Sequence, residues 1–99
     1  VLEHGVRHAG VTLGREGYAW LEPGSPLCRQ PGFEVSVVDT TGAGDAFHGA
    51  FALALAERRP MADCARIACA VAAMKCTRLG SRAGLPNKGD LDAFLEKAP

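Results

Sequence analysis

The chain has 99 residues, 47% of them hydrophobic, enough for one small domain or part of a larger one with a limited buried core. Eleven basic side chains balance eleven acidic ones, which argues against nucleic acid or an anionic membrane surface as a partner. No apolar run approaches the ~18 residues of a membrane span, and Val1 to Gly10 lacks the basic-then-apolar layout of a signal peptide, so the expectation is a soluble protein.

Taken in order, Val1 to Gly10 holds His4 and His8, four apart, a spacing that on a helix would share a face and could take a metal. Gly5 weakens a helix there and no carboxylate cluster accompanies the pair, so a surface turn is the better reading. Two strand-like runs follow, Gly10 to Leu13 and Tyr18 to Leu21, joined by Gly14, Arg15, Glu16 and Gly17 as a hairpin. The turn clusters Pro23-Gly24-Ser25-Pro26 and Pro31-Gly32 leave Leu27 to Gln30 as a short edge strand at most. Phe33 to Val38 sets Phe33, Val35 and Val37 against Glu34 and Ser36, which predicts a half-buried strand entering the core.

The next stretch, Asp39-Thr40-Thr41-Gly42-Ala43-Gly44-Asp45, leads from that strand into a helix predicted from Asp45 to about Glu57. Its many alanines and apolar residues nearly all round predict a buried helix. Arg58-Arg59-Pro60 ends it, and Met61 to Cys76 is a second helix packed against the first. Leu79 to Lys88 reads as a Gly- and Pro-punctuated loop, and Leu91, Phe94 and Leu95 mark a closing amphipathic helix capped by Asn87 or Asp90. The cysteines, Cys28, Cys64, Cys69 and Cys76, form no C-x-x-C pair, and three share one predicted helix. They read as reduced thiols of a cytoplasmic protein rather than disulfides or a zinc site.

The glycine turn carries the chemistry. Gly42, Ala43 and Gly44 have no bulk, so their backbone N–H groups can close on an anion, aided by the positive end of the helix dipole. Asp45 beside such a cradle makes sense if it takes the proton of a hydroxyl attacking a bound phosphate. The alternative is a helix-start carboxylate that simply favours the dipole. A dinucleotide fingerprint is excluded, because a small residue is needed three places after Gly44 and Phe47 stands there. A Walker loop is excluded too, since Asp45 and Ala46 occupy the places of its Lys and Ser or Thr.

The string Asp39-Thr40-Thr41-Gly42-Ala43-Gly44-Asp45-Ala46-Phe47 closely resembles the C-terminal signature of the ribokinase (PfkB) family of carbohydrate kinases. Val11 to Gly17 is similar to the strand and turn that this family sets beside the nucleotide phosphates. Lys75 to Gly80 resembles its loop at the adenine side. The resemblance covers only the C-terminal part of a family member, which marks residues 1–99 as a nucleotide-binding part without the sugar-binding part and lid.

What the resemblance implies is an α/β fold, the ribokinase-like three-layer α/β/α sandwich, and phosphoryl transfer from ATP to a sugar hydroxyl. Asp45 would be the base, and Gly42, Ala43 and Gly44 the anion hole. Thr12, Leu13, Gly14, Gly17, Gly44 and Cys69 would line the nucleotide. Asp39 and Thr41, with the backbone at Arg78 and Gly80, would hold a monovalent cation, potassium being the expectation. Mg2+ accompanies ATP, its ligands lying upstream. A homodimer of the full-length protein is a further expectation. A nucleoside kinase on the same scaffold and a truncated, non-catalytic ATP-binding module are the alternative readings.

Overall fold

The computed structural model describes residues 8–77 and 88–97. Three short strands, β1 (Ala9–Thr12), β2 (Tyr18–Leu21) and β3 (Cys28–Gln30), form an antiparallel sheet in the order β1-β2-β3. Thr12 faces Tyr18 across the first pair, and Tyr18 faces Gln30 across the second. Alternation along β2 sends Tyr18 and Trp20 to the buried face, while Leu21 ends the strand exposed.

The expected hairpin is present, with β1 shifted one residue towards the N-terminus. Leu13 leaves the sheet to open a single 3-10 turn over Gly14–Glu16, and its N–H donates to the Gly17 carbonyl at 2.7 Å. Gly17 is required twice over. Its φ is +105°, and a Cβ there would run into the Gln30 carbonyl on β3 and approach the Gly32 amide to 2.7 Å. The edge strand β3 falls within the predicted Leu27 to Gln30 span.

Three helices follow: α1 (Ala43–Ala56), α2 (Met61–Cys76) and α3 (Lys88–Lys97). Gly42, at φ +77°, turns the chain into α1 two residues earlier than Asp45. The end of α1 is a Schellman motif: the Arg58 N–H donates to Leu55 at 2.9 Å and the Arg59 N–H to Ala54 at 3.2 Å. This geometry holds Arg58 in the left-handed region at φ +60°, a place usually filled by glycine. After Pro60, α2 runs back along α1, starting with the Cys64 thiol 3.5 Å from the Arg59 carbonyl.

The core lies between the sheet and the first two helices. Tyr18, Trp20, Phe47, Ala65, Ala68 and Cys69 form it, and Phe51 and Cys28 pack at its margin. Small residues on α2 allow the close approach to α1 that ridge-into-groove packing requires. Phe94 of α3 packs edge-on against Phe33 at 5.3 Å, and the Arg66 guanidinium covers the same Phe33 ring at 5.3 Å.

Three expectations are corrected. Residues 33–38 form no strand, because no described strand lies beside them to complete a ladder; the amides of Val38 and Asp39 donate instead to the Cys76 carbonyl, at 2.7 and 3.1 Å. The helix α1 is not buried all round: only Ala46, Phe47 and Ala54 are, because the sheet and α2 cover one side and leave Leu53 63% exposed. Asp90 does not cap α3 but lies within its first turn, and the other candidate, Asn87, is outside the described residues. All four cysteines are free thiols. No helix among the described residues is long and apolar enough to cross a membrane.

Candidate functional site

The signature loop is built by three nested turns. The Thr41 N–H donates to Asp39 Oδ1 at 2.9 Å, an Asx turn that fixes the loop entrance. The Ala43 N–H then donates to the Thr40 carbonyl at 3.1 Å, and the Ala46 N–H to the Gly42 carbonyl at 2.9 Å, the first bond of α1. Between these, the amides of Gly44 and Asp45 at the second and third helix positions have no carbonyl partner among the described residues.

An anion at this end would therefore meet a different amide set from the one expected. The Ala43 N–H is turned back into the loop, because the Thr40-to-Ala43 turn uses it. Gly42 and Gly44 remain, and the Asp45 amide joins them. The position of Asp45 in the helix would have revealed this amide in the sequence, since the first N–H groups of any helix are orphans. Gly44 is exposed, with nothing within 4 Å of where its Cβ would stand, so a ligand can approach its backbone closely.

The Asp45 carboxylate is exposed and lies at one end of a groove of about 650 Å³. Gly49 and Leu53 of α1, Val71 of α2 and Leu91 of α3 continue that groove away from the loop. A carboxylate beside free amides at the mouth of a groove can accept a proton from a hydroxyl placed between it and an anion.

The hairpin stands next to this helix. Tyr18, the first residue after the turn, packs at a tilt on Phe47, two residues beyond Asp45, with ring centroids 5.0 Å apart. Of the expected nucleotide-lining residues, Thr12 is exposed at the end of β1 and Leu13 is half-buried where the turn opens. Gly14 adopts φ +59° with open space around it, whereas Gly17 is packed into β3. Gly14 is accessible to a ligand and Gly17 serves the close packing of the hairpin.

Cys69 is placed elsewhere. It is 6% exposed, within the core cluster beside Tyr18, and burial pushes its thiol up to about 11. The same burial raises the Tyr18 phenol, with the neighbouring Cys69 charge as a smaller contribution. Its expected place at a nucleotide surface is corrected accordingly, because the helix face that carries Cys69 is turned to the sheet.

Asp39 is half-buried and Thr41 exposed, and the Cys76 carbonyl bonded to the Asp39 amide brings the end of α2 to the loop. The remaining expected cation positions, Arg78 and Gly80, lie outside the described residues, as does His4. His8 places Nε2 2.9 Å from the Tyr18 hydroxyl. Among the described residues no group of three His, Cys, Asp or Glu side chains could hold a metal ion.

Sequence reasoning passed over one residue. Lys75, in the last turn of α2, is 0% exposed, and its Nζ has no hydrogen-bond partner among the described residues. The available signal was a lysine at helical spacing from Ala68 and Val71 on a buried face.

The fold and loop together define a chain with a glycine turn opening a helix, next to a hairpin that packs on that helix. The model of the pfkB family of carbohydrate kinases matches residues 1–88, and the chain belongs to that family. It is 38% identical over 87 residues to the ribokinase of Lactococcus lactis, covering 88% of this chain and 29% of that enzyme. Among solved structures, Arabidopsis thaliana ribokinase complexed with ribose and ATP is 34% identical with a TM-score of 0.87, matched over 95% of this chain and 30% of its own. A ribokinase II of Escherichia coli in complex with ATP and Mg2+ is 27% identical with a TM-score of 0.89, over 97% and 31%. A nucleoside kinase of Burkholderia thailandensis in complex with inosine is 26% identical with a TM-score of 0.87, over 94% and 31%. The chain thus has the ribokinase fold over its length and spans about a third of these relatives.

Proposed function

We propose that this chain is the ATP-binding part of a ribokinase-like sugar kinase, with Asp45 as the base for the attacking hydroxyl. The observation that carries the reading is the juxtaposition of the exposed Asp45 carboxylate with the Gly44 and Asp45 amides at the start of α1, which no described carbonyl accepts. The hydroxyl oxygen attacks the terminal phosphorus of ATP, the bond to the bridging oxygen of ADP breaks, and the hydroxyl proton passes to the Asp45 carboxylate. The two amides would hold the charge that builds on the transferring group, in an arrangement set before the reaction begins.

Mg2+ belongs to this reading as the companion of ATP, but no cluster of side chains among the described residues fits it. Potassium near Asp39 and Thr41 is a further part of the proposal, the half-buried Asp39 carboxylate being a donor suited to a hard cation. The test is calorimetric titration of the chain with Mg-ATP, comparing it with a Gly44→Val variant. The space at Gly44 lets the variant fold, so the reading expects saturable binding that Gly44→Val abolishes. Equal binding by both proteins contradicts it.

The likeness to a kinase solved with inosine supports a second reading, a nucleoside kinase on the same scaffold. A preference for adenosine or inosine over every sugar in a phosphoryl-transfer assay would favour it. Tight ATP binding with no transfer to any acceptor would favour the non-catalytic module.

A further inference from the structure

Lys75 is a buried polar group that the proposed chemistry leaves unused. It stands seven residues after Ala68 and three after Ala72, on the face of α2 turned to the core, and it is fully buried. Its Nζ has no hydrogen-bond partner among the described residues. Such a side chain costs stability, and costs of this kind are kept where a site needs the group.

The turn that carries Lys75 is docked on the signature loop. The Cys76 carbonyl, next in the chain, accepts the amides of Val38 at 2.7 Å and Asp39 at 3.1 Å, and Asp39 Oδ1 accepts the Thr41 N–H at 2.9 Å. Directly after Thr41, Gly42 turns the chain into α1, whose Gly44 and Asp45 amides form the proposed phosphate site. Lys75 therefore belongs to the wall on which that loop is built.

We propose that Lys75, carrying its proton, is a positioning residue for the terminal phosphates of ATP, a charge held behind the loop that raises the potential at the Gly44 and Asp45 amides. Water and salt screen exposed charges over ~10 Å but act much less on a buried one, so its field reaches the loop weakly screened. The start of α1 is itself the positive end of a dipole, which disfavours a cation behind it until an anion binds. Bound polyphosphate relieves that repulsion, and the relief appears as affinity. The proposal rests on the ATP reading of the loop but not on Asp45 as the base.

The experiment titrates the chain and its Lys75→Met and Lys75→Gln variants with Mg-ATP, Mg-ADP and adenosine by calorimetry, with the urea midpoint of each protein measured alongside. Both neutral variants should weaken Mg-ATP binding by about tenfold or more and Mg-ADP binding less, while adenosine binding stays within about twofold. Lys75→Met should raise the urea midpoint at the same time. A loss of affinity that grows with the number of phosphates, in a more stable protein, distinguishes a charge from a packing contact. Unchanged Mg-ATP affinity would overturn the proposal. Equal losses for all three ligands with a lower urea midpoint would also overturn it, and would make Lys75 a structural partner of a group outside the described residues. Either of these results leaves the ATP reading standing, whereas an unsubstituted chain that binds no Mg-ATP contradicts that reading and this proposal with it.

Discussion

Tyr18 packs on Phe47 with ring centroids 5.0 Å apart and planes inclined at 44°, so the hairpin is seated on the helix that carries Asp45. Phe51 joins them, 5.5 Å from Tyr18 and 6.0 Å from Phe47, one turn further along α1. Removing Phe47 leaves a cavity between sheet and helix that neither wall can close. Phe47→Ala should destabilise the chain by ~3–5 kcal/mol, read from the urea midpoint at constant m-value.

The two glycines of the hairpin separate packing from access. Gly17→Ala drives a methyl into the Gln30 carbonyl and strains a left-handed φ, so it should disrupt the pairing of β2 and β3 as seen by hydrogen exchange. Gly14→Ala meets open space and should cost only the ~1 kcal/mol of a left-handed alanine, measured in the same urea series. An equal loss from the two variants would contradict the placement of β3 over Gly17.

Arg58 sits at the glycine position of the Schellman motif, at φ +60°. Arg58→Gly relieves that strain at a smaller cost in unfolded-state entropy, and should raise stability by about 0.5–1 kcal/mol in thermal or chemical unfolding.

Lys75 is fully buried, and its Nζ has no hydrogen-bond partner among the described residues. An apolar chain of similar length removes the unpaired polar group while keeping the packing, so Lys75→Met should raise the urea midpoint, by about 1–3 kcal/mol of stability. Lys75→Ala, which opens a cavity, should gain less or lose stability.

Burial raises the Cys69 thiol from 9.0 to about 11. The folded chain favours the neutral thiol, whereas the unfolded chain releases its proton from about pH 9 upward, so this contribution is whole below that pH and is lost as pH rises towards 11. The raised Tyr18 phenol acts in the same direction. Stability should fall from pH 9 to 11, and Cys69→Ala should flatten much of that slope in a pH series of urea titrations.

Local signals made much of this structure legible. Gly14 to Gly17 between two alternating runs gave the hairpin, and Arg58-Arg59-Pro60 gave the break between α1 and α2, because these residues restrict their own backbone. What depends on partners was not legible. The pattern of Phe33 to Val38 fits a strand, but a ladder needs a neighbour. The composition of α1 fits a buried helix, but burial is set by what covers Leu53. Cys69 has suitable spacing for a surface or a core, and only the docking of α2 on the sheet decided for the core. At the loop, the glycines announced an anion site, while the bond from Ala43 to Thr40 that removes one amide depends on turn geometry that residue types leave open.

Asp45 is the residue on which the proposed chemistry depends, and the most direct measurement is the turnover of a chimera in which this chain, carrying Asp45→Asn, replaces the matching segment of Lactococcus lactis ribokinase, with its Mg-ATP affinity measured on the same sample. The reading predicts that kcat falls by ~10²- to 10⁴-fold while the ATP dissociation constant stays within about twofold, because the amide side chain keeps the shape but cannot take the proton. Turnover equal to that of the unsubstituted chimera would remove Asp45 from the chemistry and leave it as a carboxylate that favours the helix dipole.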